Sequence, residues 1–415
     1  MHLPCPNFDI LDQHNLIQQN KNAPKIGAFF IGFSIAICGT FVGVDNGDVK
    51  LYTNFMEKIL KGYSVIVDDN GIVKDIVADG TDNIVVSGLC DIHTHGAMGF
   101  DISVATQEAL DTISKYYLDN GITAFSPTFV ATPLDVLDKQ LTALYNLKQN
   151  YAVMLPAHLE GPFISKAQKG AQPECNIIDT FTNDHKWFFE KHRKHIGIVT
   201  ICPSVGNATA LVEFLISLGI KVQAGHDNSN YTDIVKAVES GLDGVTHLGC
   251  ASSVMKRGNN LEKHLGLTEA ALYLDNLAVE IIVDDKHLSK DVVQMVHKIK
   301  SQDKIIYVSD SLSTAGMPKG EYMLGDMPVV SDGKVSYLKN MTTLAGSVTN
   351  LLKSLHLSLE YGNNLDTALS CVSTNPRKYV GLPTQIKVGD KGDFVVFDHD
   401  GNLRQITLGT TTILK

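Results

Sequence analysis

Short apolar runs and longer amphipathic stretches alternate through the middle of the chain. The runs are rich in β-branched residues, as buried strands are. The stretches between them are long enough for helices. This alternation predicts repeated strand–helix units that share one parallel sheet. The apolar runs begin near Leu89, Ile122, Val153, Ile196, Ile220, Gly244, Ala278 and Ile305.

The intervening stretches carry apolar residues at three- and four-residue spacing, which places these side chains on one face of a helix. Leu110, Ile113 and Tyr117 form one such set. Together with the apolar runs, these helices predict a closed (β/α)8 barrel of the TIM type, whose active site lies at the carboxyl ends of the strands. A second helical set comprises Leu288, Val292, Met295, Val296 and Ile299.

Both ends of the chain show strands joined by tight turns. Asp69–Gly71 interrupts two apolar runs near the N-terminus, and His399–Gly401 does so near the C-terminus. Such residues favour hairpin turns. We therefore predict a small β-sandwich domain assembled from both termini. Its predicted parts are residues 1–87, of which 1–45 are a less defined extension, and residues 386–415, with the barrel at 88–385.

The segment Ile26–Val44 contains no charged residue. One interpretation is a membrane anchor or a late signal sequence, because its length approaches that of a membrane-spanning helix. Its glycines, its β-branched and aromatic residues and the turn VDNGDV at its end favour buried strands instead. We therefore expect no membrane partner.

The charge balance limits the partners of the chain. Its 415 residues include 35 Lys and Arg against 45 Asp and Glu, which gives a net charge of −10. No run of like charges offers a surface for nucleic acid or for an anionic membrane. The seven cysteines are widely spaced and form no C-x-x-C pair, which favours a reduced, cytoplasmic setting. An anionic substrate would need a local binding site.

Ionisable residues stand at the predicted strand ends. One histidine at such a place is usually a capping or hydrogen-bonded group. Several together predict a metal site, because burying many ionisable groups requires a compensating cation or mutual hydrogen bonds. The two histidines of the first strand are two positions apart, so both imidazoles project to the same side. The residues are His93 and His95 on the first strand, Glu160 on the third, His226 on the fifth, His247 on the sixth and Asp310 on the eighth.

Imidazole and carboxylate ligands without thiolates suit Zn²⁺, Fe²⁺, Mn²⁺ or Co²⁺. Such a cation acidifies water and polarises a carbonyl, and hydrolysis of an amide requires both effects. The reaction also needs a group that takes the proton of the water and gives it to the leaving nitrogen. Asp310 is the candidate for this role, and a metal ligand alone is its alternative.

One ordered series of motifs runs through the predicted barrel: HTHG, NGITAFSPTF, HLEGPF, KGAQP, AGHDNS, THLG, DDKHL, VSDS and LAGS. In this order they resemble the N-acetylglucosamine-6-phosphate deacetylases of the amidohydrolase superfamily, over Val86–Phe397. HLEGPF with AGH, TH and the later aspartate is a specific combination, whereas the H-x-H pair alone would indicate only the superfamily. The resemblance implies hydrolysis of N-acetylglucosamine 6-phosphate to glucosamine 6-phosphate and acetate.

The resemblance also implies roles for the strand-end residues. Glu160, His226 and His247 match the ligands of the family's main metal, and Asp310 matches its catalytic acid and base. The H-x-H pair resembles that of the family members that bind two metals. We therefore expect one main metal site, and whether the chain binds a second metal stays an open question. The implied partner is a small amino-sugar phosphate, and the implied assembly is a homodimer.

Substrate-binding residues follow from the resemblance as well. KGAQP places Ala171 and Gln172 at the acetamido group, where many members have histidine instead of glutamine. A glutamine can still donate a hydrogen bond to the developing oxyanion. His287 in DDKHL matches a contact to the sugar phosphate or to a hydroxyl, with a surface residue at a helix start as the alternative.

The rim of the pocket resembles the family less closely. Leu344, Ala345 and Gly346 match a loop that lines the substrate pocket, with an ordinary tight turn as the alternative. Family members usually follow the sixth-strand histidine with an aromatic residue and Asn-Ala-Met, which hold the phosphate. This chain has Cys250 and Ala251 in those places. The expected mode of phosphate binding is therefore less defined than the reaction.

Lys263 is the nearest match to a family arginine that reaches the phosphate of the neighbouring subunit. Lysine pairs with phosphate as a point charge but lacks the bidentate fork of arginine, and a solvated helix residue is the alternative. Two other functions stay open: deacetylation of a different N-acetylated amino sugar, and catalytically silent binding of a sugar phosphate. HLEGPF disfavours a cyclic-amide hydrolase, since those enzymes commonly use a carboxylated lysine between two metals.

Overall fold

The structure is a computed structural model, and the described residues are 40–45, 48–53, 58–258 and 261–415. Contacts divide the chain into two units, Met1–Met56 and Glu57–Lys415. In the first unit, the strands Thr40–Asp45 and Asp48–Thr53 pair antiparallel, which confirms the hairpin predicted at VDNGDV. Residues 26–39 of the predicted buried-strand segment lie outside the described residues.

The second unit contains a nearly closed parallel barrel, as predicted. Apolar and β-branched runs form its strands, which lie side by side in chain order. The first and eighth strands meet through a bridge between Thr94 and Ser311. Next to this bridge, the Asp310 N–H donates to the His93 carbonyl at 2.9 Å. Within the described ranges the barrel strands are Leu89–Thr94, Ile122–Phe129, Ala157–Glu160, Ile196–Ile201, Lys221–Ala224, Gly244–Val245, Ala278–Ile282 and Ile305–Val308.

The third barrel strand begins later than predicted. Val153–Met154 is a separate short strand that pairs with the second barrel strand. Pro156 follows it, and proline has no N–H with which to continue the ladder of hydrogen bonds. The barrel strand starts at Ala157 and ends at Glu160. The predicted start near Val153 is therefore wrong, whereas the predicted end is right.

Helices cover the outside of the barrel, and the main apolar core lies between them and the strands. Leu110, Ile113 and Tyr117 are buried on one face of the first helix, as predicted. The described α-helices are Gln107–Asp119, Leu134–Tyr145, Lys186–His192, Ala208–Ser217, Tyr231–Glu239, Leu267–Tyr273, Lys290–Ile299, Leu351–Glu360, Leu365–Leu369 and Asn375–Tyr379. None of these helices combines the length and the apolar character that a membrane crossing requires.

The helix Lys290–Ile299 differs from its predicted face. Its buried residues are Val293 and Val296. Leu288 is buried too, but it precedes the helix and therefore does not belong to the helical repeat. Because Leu288 was counted as the first residue of the helical repeat, the predicted buried face is rotated around the helix axis relative to the observed one. The wrongly assigned members are Met295 and Ile299, which are 41% and 50% exposed.

Strands from both ends of the second unit form an antiparallel sheet, which confirms the predicted small β-sandwich. The hairpin Tyr63–Val67 with Val73–Ala78 and the hairpin Asp393–Phe397 with Leu403–Leu408 enclose the two predicted turns. The domain boundaries at residues 87 and 386 stay predictions. In spatial order the described strands of the sheet are Thr411–Leu414, Leu403–Leu408, Asp393–Phe397, Ile84–Ser87 and Ile59–Lys61.

A second antiparallel sheet, absent from the predicted elements, follows the eighth barrel strand. Its last strand is Leu344–Ser347, the LAGS motif, so the alternative of a tight turn is wrong. The Ser347 N–H donates to the Asp310 carbonyl at 2.8 Å, which fixes this strand at the barrel mouth. In the described part of the chain this sheet contains Gly320–Leu324, Met327–Ser331, Val335–Leu338 and Leu344–Ser347. Two short strand pairs are Gly96–Ala97 with Phe100–Asp101 and Lys256–Arg257 with Lys263–His264.

Arg377 joins the small sheet to the barrel. Its guanidinium donates to Asp393 Oδ2 at 2.6 Å and to the carbonyls of Gly88 and Pro383 at 3.0 and 2.7 Å. Asp393 belongs to the sheet and also accepts from the Thr123 hydroxyl on the second barrel strand, at 2.5 Å. Since Arg377 is only 3% exposed, these partners replace the water that its charge loses.

We predict that Arg377→Ala lowers the free energy of unfolding by about 3 kcal/mol, because removing one member of a buried pair leaves the other charge uncompensated. Equilibrium urea denaturation followed by circular dichroism measures this loss. Lys378→Ala is the matched control: the Lys378 side chain is 55% exposed and pairs with Asp303, so its loss costs less than about 1 kcal/mol. Equal losses in the two variants would contradict the assigned role of Arg377.

Candidate metal centre and active site

The side chains that the sequence places at the strand ends meet at one mouth of the barrel. Each comes from the last residues of its strand or from the first residues after it, so the barrel geometry directs them to a common point. All of them are buried. They are His93, His95, Glu160, His226, His247 and Asp310.

Glu160 lies at the centre of this group. Its Oε1 is 2.9 Å from His247 Nε2, 3.1 Å from His226 Nε2 and 3.5 Å from His93 Nε2. Its Oε2 is 3.3 Å from His95 Nε2. One carboxylate therefore contacts imidazoles from three strands or strand ends, and it links the predicted main ligands to the H-x-H pair.

Asp310 completes the group on the side of the H-x-H pair. Its Oδ1 is 3.3 Å from His95 Nε2 and 3.5 Å from His93 Nε2. It also lines the open cleft above the group. Asp310 can therefore contact both the centre and a molecule bound in the cleft.

Three of these residues have left-handed backbone conformations. The φ angles of His226, His247 and Asp310 are +44°, +29° and +46°. Such a conformation costs a residue with a side chain on the order of 1–3 kcal/mol, and the surrounding structure must hold it in place. The strain falls at the residues that turn inward where their strands end.

Two glycines allow close approach around the group. A Cβ on Gly225, which precedes His226, would lie 2.8 Å from side-chain carbons of Thr200 and Thr246. A Cβ on Gly346 would lie 2.8 Å from Leu312 Cδ2, and the φ of Gly346 is +135°. A larger residue at either position would force these neighbouring atoms to shift, and at position 346 it would also have a strained backbone.

The charges in the group stabilise one another. Burial opposes the ionised form of Glu160, but the charge of His93 and the hydrogen bonds from His226 and His247 hold the pKa of its carboxyl well below the usual range. Burial also opposes protonation of His95, yet hydrogen bonds to Asp310 and Glu160 raise its pKa to about 9. The carboxylates therefore attract positive charge, whether it comes from protons or from a cation.

The donor set fits a divalent metal. Three groups of possible ligand atoms lie within 4.8 Å of one another in the described residues: His93, His95 and Asp310; His93, Glu160 and His247; and His93, His158 and Glu280. His93 Nε2 is buried and makes no hydrogen bond with the described residues. Imidazole nitrogens and carboxylate oxygens without thiolate suit Zn²⁺, Fe²⁺, Mn²⁺ or Co²⁺.

A second layer of buried groups was missed in the sequence. Glu280 Oε2 lies 3.1 Å from His93 Nδ1. The centroids of the His158 and His93 rings are 4.6 Å apart. Asp91 is buried, and burial raises the pKa of its carboxyl to about 7. A charged residue within an apolar strand, such as Glu280 in AVEII, was the signal that could have identified this layer.

The predicted substrate-binding residues mostly line one cleft, about 530 Å³ in volume, above the group. Glu160, His226, His247 and Asp310 form part of its wall. The structure therefore brings the predicted substrate residues and the predicted metal ligands to the same opening. The substrate residues in the cleft are Ala171, Gln172, Cys250, Ala251, His287, Leu344, Ala345 and Gly346.

Gln172 contacts the group directly. Its amide donates to Glu160 Oε2 at 2.9 Å, and its carbonyl oxygen accepts from the Ala131 N–H at 2.6 Å. The Ala131 N–H fixes which end of the amide faces Glu160. One of the two amide hydrogens is thus engaged by Glu160, and the other can serve a bound molecule.

His287 is held by Asp284. Its Nδ1 lies 2.8 Å from Asp284 Oδ2, and its side chain is buried in the cleft wall. Although burial opposes protonation, Asp284 raises the pKa of His287. The surface position considered as an alternative is therefore wrong.

Lys263 lies outside the cleft lining. It is exposed on the short strand Lys263–His264, so the alternative of a helix residue is wrong. Its predicted contact concerns a neighbouring subunit and stays a prediction. Two other lysines line the cleft: Lys166, which pairs with Asp179 at 2.6 Å, and Lys169, which is 3.8 Å from Glu174.

Two similar sequences are N-acetylglucosamine-6-phosphate deacetylases. The one from Lysinibacillus sphaericus is 28% identical over 333 residues, which cover 79% of this chain and 84% of that protein. The one from Caenorhabditis elegans is 29% identical over 342 residues, which cover 78% and 81%.

Solved structures show the same fold. The N-acetylglucosamine-6-phosphate deacetylase from Pasteurella multocida superposes with a TM-score of 0.77 at 24% identity, covering 86% of this chain and 96% of that one. The enzyme of the same name from Thermotoga maritima gives 0.73 at 25% identity, covering 86% and 100%. The sequence model that describes the amidohydrolase family matches residues 84–413 of this chain. The chain therefore belongs to the amidohydrolase family, and the resemblance of its motifs is confirmed.

Proposed function

We propose that the protein hydrolyses N-acetylglucosamine 6-phosphate to glucosamine 6-phosphate and acetate. The observation that carries this proposal is Asp310, which stands between a buried set of imidazole and carboxylate donors and an open cleft. The relatives from Lysinibacillus sphaericus and Caenorhabditis elegans bear the name of this activity. The predicted cytoplasmic setting and homodimer stay predictions.

Glu160, His226 and His247 would hold the main divalent cation, of the Zn, Fe, Mn or Co type. His93 and His95, with Asp310, offer the donors for a second one. When bound, such a cation supplies a Lewis acid that acidifies water and polarises the acetyl carbonyl. The mutual contacts of these side chains around Glu160 support the assignment.

Asp310 moves the proton in this proposal. Its carboxylate takes a proton from the attacking water and delivers it to the amide nitrogen as the C–N bond breaks, so that the amine leaves neutral. The contacts with His93 and His95 hold the pKa of Asp310 below its usual range against the effect of burial. Asp310 is therefore ionised and ready to accept the proton.

Gln172 stabilises the negative charge that develops on the acetyl oxygen. Its amide nitrogen faces the centre and has one hydrogen beyond that engaged by Glu160. A donor fixed in place before the reaction stabilises the transition state without reorganisation. Ala171 lies beside it in the cleft.

The phosphate has several candidate partners in the cleft. Lys169 is the lysine with the longer ion pair, so its ammonium is the more available of the two. His287 offers a further donor, with its charge supported by Asp284. Cys250 and Ala251 offer only a neutral wall, so the charged contacts to the phosphate come from Lys169 and His287.

The function is tested by acetate release from a panel of N-acetylhexosamines with and without 6-phosphate, in the presence of Zn²⁺, Fe²⁺ or Mn²⁺. We expect N-acetylglucosamine 6-phosphate to give the highest kcat/KM. Its unphosphorylated form should react far more slowly, because the charged side chains of Lys169 and His287 then have no phosphate to bind. Preference for another acetylated sugar would move the proposal to that substrate. If the protein binds a sugar phosphate but releases acetate from none of the sugars, the proposed enzymatic activity is contradicted. That result would favour a catalytically silent protein that binds a sugar phosphate.

Replacing Asp310 by Asn should reduce kcat by about 10²- to 10⁴-fold, the usual contribution of a general acid–base group. Bound metal, measured by inductively coupled plasma mass spectrometry, should still occupy the main site. The control is Asp303→Asn at the opposite end of the same strand, where Asp303 pairs with exposed Lys378 and kcat should be unchanged. An Asp310 variant with near-normal turnover would refute the assignment.

Glu160→Gln should remove most of the metal from the purified protein, because an amide is a weak ligand and cannot compensate the imidazoles as a carboxylate does. Metal content after dialysis against a defined free Zn²⁺ concentration measures the effect. Glu174→Gln, on the loop that follows the same strand, is the control and should retain the metal. Full metal content in the Glu160 variant would exclude Glu160 as a main ligand.

A further inference from the structure

His93 contacts a carboxylate on the side facing away from the cleft. Its Nδ1 lies 3.1 Å from Glu280 Oε2, and both side chains are buried. Glu280 sits in the middle of the seventh barrel strand, Ala278–Ile282, so the contact crosses the barrel interior from the first strand. The two side chains are only 0% and 1% exposed to bulk solvent, so each needs a hydrogen-bond partner inside the protein.

Glu280 is itself held in place. Its Oε1 accepts from the Gln223 amide at 2.9 Å, and the Gln223 carbonyl oxygen accepts from the Thr246 hydroxyl at 2.7 Å. Because a carboxylate can only accept, the Gln223 amide has one orientation that satisfies both contacts. The two oxygens of Glu280 are thus assigned, one to Gln223 and one to His93.

This assignment fixes the hydrogen of His93. A carboxylate without a proton requires that Nδ1 of His93 carries the hydrogen, and neutral imidazole then has its lone pair on Nε2. Nε2 lies 3.5 Å from Glu160 Oε1 and 3.5 Å from Asp310 Oδ1. It makes no hydrogen bond with the described residues, so in the neutral ring its lone pair is free to bind a cation.

We propose that Glu280 is a positioning residue that commits His93 Nε2 to a second divalent cation, which His95 and Asp310 also hold. The inference rests on the proposed function, whose chemistry needs only the main cation. Glu280 acts through His93 and touches neither cation nor substrate. A carboxylate behind a ligating imidazole fixes its tautomer and raises its basicity, and its loss typically weakens metal binding about 10- to 100-fold.

Glu280→Gln tests this proposal with Zn²⁺ alone as the probe. If the new amide turns its oxygen to the Gln223 amide, its NH₂ faces His93 Nδ1 and moves the imidazole hydrogen to Nε2. We expect two Zn²⁺ per chain in the parent protein and one in the variant. The second site should be weaker by about 10- to 100-fold in a zinc titration. Native mass spectrometry counts the ions, and ¹⁵N NMR of the histidines reports the tautomer of His93.

Adding Gln223→Glu should restore the second Zn²⁺. The carboxylate at position 223 then accepts from the amide at position 280, whose carbonyl oxygen turns to His93 Nδ1. The double variant keeps every hydrogen bond of the network satisfied, so it also remains informative if the single variant folds poorly. Recovery of the second ion supports a role in directing His93, since a role in packing alone predicts no recovery.

Thr200→Val is the matched control for damage to the network. Thr200 Oγ1 lies 2.7 Å from both His158 Nε2 and Thr246 Oγ1, so the variant loses two buried hydrogen bonds but leaves Glu280 and His93 in contact. It should melt at a lower temperature and still bind two Zn²⁺. Loss of the second ion in this control, or two tightly bound ions in Glu280→Gln, overturns the proposal. A single Zn²⁺ in the parent protein also overturns the proposal for Glu280. The proposed deacetylase function is not affected by that result, because acetate release tests it separately.

Discussion

The site depends on one constraint: the buried charge of Glu160 must be compensated, either by protons on the imidazole Nε2 atoms that face it or by a cation held between them. Three of these rings are oriented through Nδ1. His95 Nδ1 lies 3.1 Å from the Thr128 carbonyl and His226 Nδ1 lies 3.0 Å from the Gln168 carbonyl, while His93 uses a carboxylate. When such a ring is neutral and its hydrogen is on Nδ1, its lone pair is at Nε2, where it can bind a cation. The barrel thus arranges acceptors behind the rings and ligand atoms in front of them.

The same constraint explains where the backbone is strained. A parallel strand directs alternate side chains inward and outward, so the residue after its end reaches the centre only if the chain turns sharply. His226, His247 and Asp310 make this turn with positive φ. At Asp310 the turn is held on both sides, because its N–H donates to the His93 carbonyl and its own carbonyl accepts from the Ser347 N–H. The hydrogen bonds that close the barrel therefore also fix the position of Asp310, the proposed acid–base group.

The sequence carries information about elements whose residues repeat or stand out locally. Strand-end groups such as Glu160 were predictable because a carboxylate before glycine in an apolar run has no local explanation. Met295 was misplaced because helical phase depends on where the helix begins, which the pattern alone does not define. The LAGS strand was missed because its partners pair over a few residues and show little alternation. Glu280 was missed because its reason for burial, His93, lies 187 residues away.

The parts of the site differ in how firmly the fold holds them. The donors around Glu160 and the proposed acid–base group, Asp310, stand on barrel strands or directly after them, where neighbouring strands fix their positions. The cleft walls stand on segments between strands, such as the one that carries Lys169 and the one that carries Cys250. Such segments tolerate substitution without cost to the barrel, since few core contacts depend on them. Under the proposed function, the hydrolytic centre is therefore kept while the phosphate contacts change, and the neutral wall at Cys250 is one such change.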